Sequence, residues 1–428
     1  MLAIQQLFKL WVLAMLLVCA AGQQVYNHQS SSLSLPSWMS LLDNGIPLRA
    51  LSILGTHNSM SQGIWGDAFQ SQANSLSNQL NMGMRALDIR CRHYSDTLLV
   101  HDRLVYLNVD LAYVFTTVSA FLLAHPMETV LVHIVEEYTA SGNTGTFESA
   151  YLSYRNNFLN VIWSPTSQNP VLGETRGKIV IIQDFAASAI YGLLYSTFTV
   201  LPHKWFNTNW DQYNKWMAVK TFLGTANASA SSQISFWTGH GGSFPYFVAS
   251  GQSSPGNGAP LLATGLTTPG FTSSYPDFPR VACFIGICTI AFDGINRLAY
   301  NYIVSKGYSY LGIVFTDFIG DAVISKTVGL NVGKFTPCPA AQITQGCSYC
   351  SSAGVCLGCN TTLNYVYNSA NFSCLAATGY FLFWNSSTVN TAEPCNSSMA
   401  GCQTCLSQTV CPLFCSLCLP SRKCTNVA

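Results

Sequence analysis

Charge is what this chain lacks most. Only 9% of its 428 residues are Asp, Glu, Lys or Arg, and the formal net charge is +1. No basic block exists that could neutralise a run of phosphates, which excludes nucleic acid as an expected partner. Long apolar runs are also missing, although 49% of the residues are hydrophobic. The longest candidates, Leu111 to Ala124 and Val281 to Phe292, are broken by His125-Pro126 and Asp293-Gly294. Both fall short of the roughly 20 residues that a bilayer span requires. The C-terminal stretch Ser421-Arg-Lys-Cys-Thr-Asn-Val-Ala428 is not an apolar tail, so no lipid anchor is expected there. The apolarity therefore implies a large buried core rather than disorder or a membrane span.

Cysteine is scarce in one region and crowded in the next. Between Gln23 and Gly333 there are three, Cys91, Cys283 and Cys288, whereas thirteen follow from Cys338 onwards. The first region is long enough to bury its own core; the second is not, and needs covalent staples. Residues 1–22 read as a signal peptide, with Lys9, the apolar run Leu10 to Val18 and small residues at Cys19-Ala20-Ala21-Gly22. Removing it leaves sixteen cysteines, an even number suited to an oxidising compartment. Five Asn-x-Ser/Thr sequons at Asn227, Asn360, Asn371, Asn385 and Asn396 agree with a secreted or extracellular protein. Pairs such as Cys347-x-x-Cys350 and Cys415-x-x-Cys418 would suggest zinc in a cytosolic protein, but here they favour disulfides. Odd counts in both regions leave room for a bridge between them or to another chain. Cys283 and Cys288 could pair locally, although on one strand they would face opposite sides.

The body alternates short β-branched runs with helix-like segments. Strand candidates are Leu51–Leu54, Ala86–Ile89, Thr97–Val100, Val130–Ile134, Ile179–Ile182, Ile234–Trp237, Arg280–Ile285 and Gly312–Thr316. Most are nearly continuous apolar runs, as parallel strands covered on both faces would be. Helix-like stretches between them include Leu76–Gly83, Leu111–Leu123 and Asp293–Ser305. Eight such strands in this length predict an α/β barrel of parallel strands ringed by helices, with chemistry at the strands' C-terminal ends. A doubly wound open sheet is the alternative, but no G-x-G-x-x-G follows the first strand.

At those ends stand residues that an apolar core would not choose. The first strand runs into His57-Asn58-Ser59, the second ends in Asp88-Ile89-Arg90, the third in His101-Asp102 and the last in Asp317. Two histidines can divide the roles of proton acceptor and donor. An arginine fork can grip a phosphate and keep its charge at any working pH. Base, acid and cationic clamp together describe phosphoryl transfer from an alcohol leaving group. The carboxylate cluster of a metal-dependent phosphodiesterase is not evident. Ala86 takes the place of a possible second ligand beside Asp88, and Arg90 adds a fixed positive charge.

The stretches Leu51–Ser59, Gln79 to Arg90, His101 and His125-Pro-Met-Glu128-Thr-Val resemble the catalytic X region of phosphatidylinositol-specific phospholipases C. Arg90 makes the bacterial, metal-independent branch the closer match. Gly173 to Ile182, Gly241-Gly242 with Pro245, and Gly312 to Asp317 extend the likeness over roughly Pro36 to Val332. The resemblance implies an irregular TIM-type barrel over 36–333. The cysteine pattern over 337–428 looks similar to the furin-like or growth-factor-like Cys-rich repeats of extracellular proteins, a small disulfide-rich region. The X-region resemblance implies cleavage of phosphatidylinositol, or of glycosyl-phosphatidylinositol anchors, to diacylglycerol and inositol 1,2-cyclic phosphate. His57 would be the base, Asp317 its orienting partner, Arg90 the phosphate clamp with Asp88 setting its position, and His101 the acid. Asn58, Asp102 and Glu137 are candidate substrate-binding residues. No cofactor or metal is implied; the partner is a lipid surface containing phosphatidylinositol, and any protein partner of the tail is unknown.

This chain departs from the family pattern in three places. Asn58 stands where the family commonly has an Asp that supports the acid histidine, a loss that would lower its pKa unless Asp102 substitutes. Asp102-Arg103 follows His101 where Gly is frequent. Asp184 and Glu136 align near basic residues that contact inositol in some members, so head-group preference could differ. Two other readings remain open: a metal-dependent glycerophosphodiesterase or sphingomyelinase-like hydrolase, and a surface-binding protein with impaired catalysis.

Overall fold

The structure, a computed structural model, describes residues 24–331 apart from 64–65 and 230–231, together with the backbone of six short strands between Cys347 and Pro394. The expected signal peptide, four of the five sequons and the tail's disulfides lie outside the described residues. The chain divides into two compact units, Met1–Met39 with Pro47–Val332, and Ser40–Ile46 with Gly333–Ala428.

In the first unit the strands in chain order are β1 (Ile53–Thr56), β2 (Ala86–Tyr94), β3 (Thr97–Asp102), β4 (Val105–Asp110), β5 (Thr129–Glu136), β6 (Lys178–Asp184), β7 (Leu193–Leu194), β8 (Thr199–Leu201), β9 (Lys204–Phe206), β10 (Gln233–Phe236), β11 (Gly239–Gly241), β12 (Ala263–Thr268), β13 (Arg280–Phe284), β14 (Ile287–Ala291) and β15 (Ile313–Thr316). Eight of them form one parallel path, β7-β6-β5-β2-β1-β15-β10-β8. From β1 the path therefore follows chain order around the sheet and returns through β15, as in a TIM-type barrel. It is irregular because β7 and β8, of two and three residues, end the path without pairing with each other.

Six of the eight expected strands overlap observed barrel strands, five within two residues at each end, while β2 runs on to Tyr94. The other two are corrected. Thr97–Val100 lies in β3, which folds back antiparallel on β2, and Arg280–Ile285 lies in β13 of a separate sheet ordered β12-β14-β13. Both runs are apolar, but each sits beside a tight reversal, which forces antiparallel pairing. The barrel's short β7 and β8 leave too few residues for a periodic signal.

Parallel pairing explains the apolar runs, since β1, β10 and β15 are buried at every position. The connecting helices carry ordinary caps. The Ser75 side chain accepts the Asn78 N–H and Gly83, at φ 115°, closes the helix Leu76–Met82. Asp110 likewise accepts the Tyr113 N–H at the start of Leu111–Ala124. One core cluster joins β2, β5 and β6 to that second helix; another centres on Trp216, Phe247, Phe278, Phe292 and Val314.

In the second unit three antiparallel hairpins are described: Cys347–Cys350 with Cys356–Cys359, Tyr365–Asn368 with Ser373–Ala376, and Tyr380–Phe383 with Thr391–Pro394. In the first of these, the register sets Cys347 opposite Cys359 and Cys350 opposite Cys356.

Of the body's cysteines, Cys283 and Cys288 form a disulfide. The chain reverses at Ile285-Gly286, so the two sulfurs lie on neighbouring strands and the expected conflict of facing sides does not arise. Cys91 is a buried free thiol, so the odd body cysteine makes no bridge. No helix among the described residues is long and apolar enough to cross a membrane.

Candidate active site

The C-terminal ends of β1, β2, β5, β6 and β15 converge on one buried array. The approach of β1 to β2 depends on Gly55, where a Cβ would meet the Ala86 carbonyl oxygen at 2.5 Å. Two residues later His57 leaves β1, with its N–H donating to Thr316 O at 3.0 Å. Gln72 Nε2 ties this turn to the last strand, donating to His57 O (2.7 Å) and Thr316 O (3.0 Å).

His57 Nδ1 lies 2.8 Å from Asp317 Oδ1. A carboxylate only accepts, so Nδ1 carries the proton and Nε2 presents its lone pair when the ring is neutral. Nε2 has no hydrogen-bond partner and stands 4.0 Å from Asp88 Oδ2. Burial pushes the Asp317 carboxyl above its usual range, against the opposing charge and hydrogen bond of His57.

Asp88 is the hub. Its Oδ2 accepts from Arg90 Nε (3.0 Å) and the Asn58 N–H (3.2 Å), and its Oδ1 lies 2.8 Å from His133 Nδ1. Burial alone would raise its pKa; Arg90, His133 and His57 outweigh that and hold it well below the usual carboxylate range. Arg90 Nη1 donates to Glu137 Oε2 at 3.2 Å, and Glu137 Oε1 accepts the Arg103 N–H. Glu137, expected near substrate, thus braces the guanidinium. Asn58, with φ 42°, gives its N–H to Asp88 while its buried Oδ1 has no partner.

His101 and Asp102 sit on β3, beside this array but outside its hydrogen bonds. His101 Nδ1 contacts Arg103 O at 3.3 Å, its ring tilts against Tyr106, and burial lowers its pKa. Asp102 is buried and accepts from Arg103 Nε at 3.2 Å rather than bonding His101. The lowering at His101 comes from burial, and Asp102 makes no hydrogen bond to its ring. Glu136 is exposed on the outer side of β5.

Sequence reasoning passed over three histidines. His133, on β5 at the register position of Asp88, lies between Asp88 (2.8 Å) and Asp184 Oδ2 (3.2 Å). With a carboxylate at each nitrogen, both must donate, which makes the ring an imidazolium. Burial opposes that charge, but the hydrogen bonds to Asp184 and Asp88 prevail and its pKa is raised. One signal was readable: a histidine interrupting the apolar run Thr129–Glu136. The other two form a stack with the candidate base. His203 lies parallel to His57 at 4.8 Å, and His240 lies on His203 at 4.1 Å. Burial, then neighbouring positive charge, lowers both pKa values, that of His240 to about 3. Nothing in one dimension announces this stack, because its members come from β1, β8 and β10 connections far apart in sequence. Lys215, also buried, donates to Pro202 O, and burial brings its pKa to about 7.

Chemically the array offers a histidine lone pair oriented by one carboxylate, beside an arginine held by two others. Arg90 keeps its Nη2 donors without a protein partner among the described residues. No three His, Cys, Asp or Glu side chains among the described residues converge as a metal set would.

Residues 45–184 match the sequence profile described as "Phosphatidylinositol-specific phospholipase C, X domain". A 1-phosphatidylinositol phosphodiesterase of Staphylococcus aureus (strain NCTC 8325 / PS 47) is 31% identical over 192 residues, 42% of this chain and 58% of that one. One of Listeria monocytogenes is 31% identical over 164 residues, 36% and 50% of the two chains. The chain thus spans little more than half the length of the curated relatives it matches. Among solved structures, a phosphatidylinositol-specific phospholipase C of S. aureus shares the fold at TM-score 0.52 and 22% identity, over 70% of this chain and 98% of that one. A mutant of the same enzyme gives a TM-score of 0.51 with the same coverage. Residues 45–184 are thus similar to the phosphatidylinositol-specific phospholipase C X domain, within a barrel whose fold matches that of the solved S. aureus enzyme.

Proposed function

We propose that the protein cleaves phosphatidylinositol, or the same linkage in glycosyl-phosphatidylinositol anchors, by intramolecular attack and without a metal. The observation that carries this reading is the run Asp317–His57–Asp88–Arg90, in which an oriented imidazole and a braced guanidinium share one carboxylate neighbour. His57 Nε2 takes the proton of the inositol 2-hydroxyl as its oxygen bonds to phosphorus. Asp317 keeps the ring in that tautomer and stabilises the imidazolium that forms. The free Arg90 donors meet the non-bridging phosphate oxygens, whose charge grows in the transition state. The bond from phosphorus to the diacylglycerol oxygen breaks, and His101 supplies that oxygen with a proton. Products are diacylglycerol and inositol 1,2-cyclic phosphate. The nucleophile is already part of the substrate, which removes the entropic cost of bringing in water.

The X-domain match and the curated relatives' names support the substrate class. In place of the basic residues that some members set against inositol, Asp184 here is paired with His133, so the head-group side of the site differs in charge from that pattern. We infer also that residues 1–22 direct export, on the strength of their apolar run and the sequons, and that the Cys-rich tail serves adhesion or protection. A second reading, a lipid-binding protein with impaired turnover, draws support from His101, whose ring lacks a carboxylate partner among the described residues.

Phosphorus NMR of the protein with phosphatidylinositol micelles in excess EDTA tests the proposal. A cyclic inositol phosphate resonance is the expected result, and it should vanish in His57→Ala. Linear phosphate appearing only after Mg²⁺ or Ca²⁺ is added would overturn the reading. Micelle binding without product under either condition would favour the second one.

A further inference from the structure

The connection from β10 to the helix Ile295–Lys306 is long and leaves the barrel at the end where His57 and Asp317 stand. It contributes His240 to the histidine stack and then builds the β12-β14-β13 sheet. Between Gly241 and Phe292 only Asp277 and Arg280 are charged. Both are engaged internally. Asp277 accepts from Lys220 and Trp216, and the Arg280 guanidinium donates to the carbonyls of Thr272, Ser274, Tyr275 and Phe278. No charge of this excursion is left to resist leaving water.

The base of the sheet is firmly packed, with Phe292 against Trp210, Phe247 and Phe278. Its tip is the opposite. Phe284, Ile285 and Ile287 are 74%, 82% and 53% exposed. The Cys283–Cys288 disulfide closes the loop immediately behind them, so they cannot fold back into the core.

Local conformation makes this choice of residues informative. Phe284 pairs with Ile287, leaving a two-residue turn in which Ile285 and Gly286 have φ of 45° and 77°. A turn with both central φ values positive favours Asn, Asp or Gly at its first position. A β-branched residue there is strained. Solubility and turn preference both call for a polar residue, yet the most exposed position is isoleucine.

We propose that this stapled hairpin tip is a wedge that inserts into the outer region of a lipid bilayer. The choice of a bilayer rests on the reading of an amphiphilic phosphodiester as substrate. A chain that must reach a head group while its acyl chains stay in the membrane needs apolar, uncharged surface at the end of the barrel where the site opens. Rigid apolar side chains of this size partition into the interface without prior ordering.

Sedimentation with phosphatidylcholine vesicles tests the wedge, and using no inositol lipid keeps the result independent of catalysis. Ile285→Asn suits the turn, so folding is preserved, and a thermal midpoint at or above that of the parent verifies this. Its vesicle partition should fall about 10-fold, and that of Phe284→Ser/Ile285→Asn/Ile287→Thr on the order of 100-fold. Turnover of a short-chain inositol phospholipid below its micelle concentration should be unchanged in both. Equal vesicle binding by parent and triple variant would overturn the proposal. So would a parent dimer in sedimentation velocity that Ile285→Asn converts to monomer, since the tip would then serve self-association.

Discussion

Two arginines, one just before β2 and one within it, hold carboxylates at opposite ends of the barrel and differ in what they leave free. Arg85 precedes β2 at the closed end of the barrel and is 0% exposed. Its Nε meets Glu128 at 2.8 Å, and its other donors reach the carbonyls of Leu80, Met84, Leu35 and Pro36. Every N–H is satisfied, so the pair behaves as a strut. Arg90 lies five residues on, at the open end. It also has carboxylate partners, Asp88 and Glu137, but its side chain is 18% exposed and, among the described residues, its hydrogen bonds use only Nε and Nη1. The ion-pair chemistry is the same. What separates structure from proposed function is whether the fork is saturated.

The sharpest way to break this comparison is to exchange losses between the two ends. Arg90→Ala should lower kcat/KM on phosphatidylinositol by about 10³-fold or more while the urea midpoint moves little. Arg85→Met should do the reverse, costing about 3–5 kcal/mol of stability because the buried Glu128 carboxylate loses its guanidinium counter-charge. Adding Glu128→Leu to it should restore much of that loss. If Arg85→Met lowers kcat/KM at unchanged stability, the division between strut and clamp is wrong.

A next-largest effect should come from His101→Ala, about 10²–10⁴-fold with a diacylglycerol leaving group. Against a substrate with an aryl leaving group, which needs no proton, the loss should shrink towards the parent rate. Because burial lowers the His101 pKa, the protonated acid declines at a pH below the usual histidine range. Parent kcat/KM should accordingly fall on the alkaline side from below about pH 6.5. An alkaline limb several units higher would exclude His101 as the acid.

Glu137→Gln should have a smaller effect, on the order of 10-fold in kcat/KM, since Arg90 loses one of two braces but keeps Asp88. Smallest is a stability slope. His133 has a raised pKa in the folded protein, so its charged form favours folding fully below about pH 6.5, its unfolded value. That contribution is lost as pH rises through the higher folded value. Urea midpoints measured upward from pH 6 should show the decline in the parent and lack it in His133→Asn; identical slopes would place the proton elsewhere.

The barrel was legible because parallel strands covered on both faces must be apolar throughout, and β2, β5, β6 and β15 say so in their residues. The two misplaced strands had the same composition, and only their partners distinguish them. Of the site, His57, Asp88, Arg90 and Asp317 stood out as polar residues interrupting apolar runs at strand ends. His133 met the same criterion and was passed over, because a histidine in mid-strand reads as a structural group until Asp88 and Asp184 are found at its two nitrogens. His203 and His240 had no such mark.

By itself the sequence determined which segments must be buried and where apolar runs end in titratable groups. These are properties of single segments, set by the cost of burying polar groups and the period of the strand. Tertiary structure alone decided that Asp88 would serve Arg90, His133 and Asn58 at once, that Asp102 would bond Arg103 rather than His101, and that Cys283 would face Cys288 across a turn. Each of these depends on which atoms of distant segments come within 3 Å or so of one another, the range over which hydrogen bonds are made or lost.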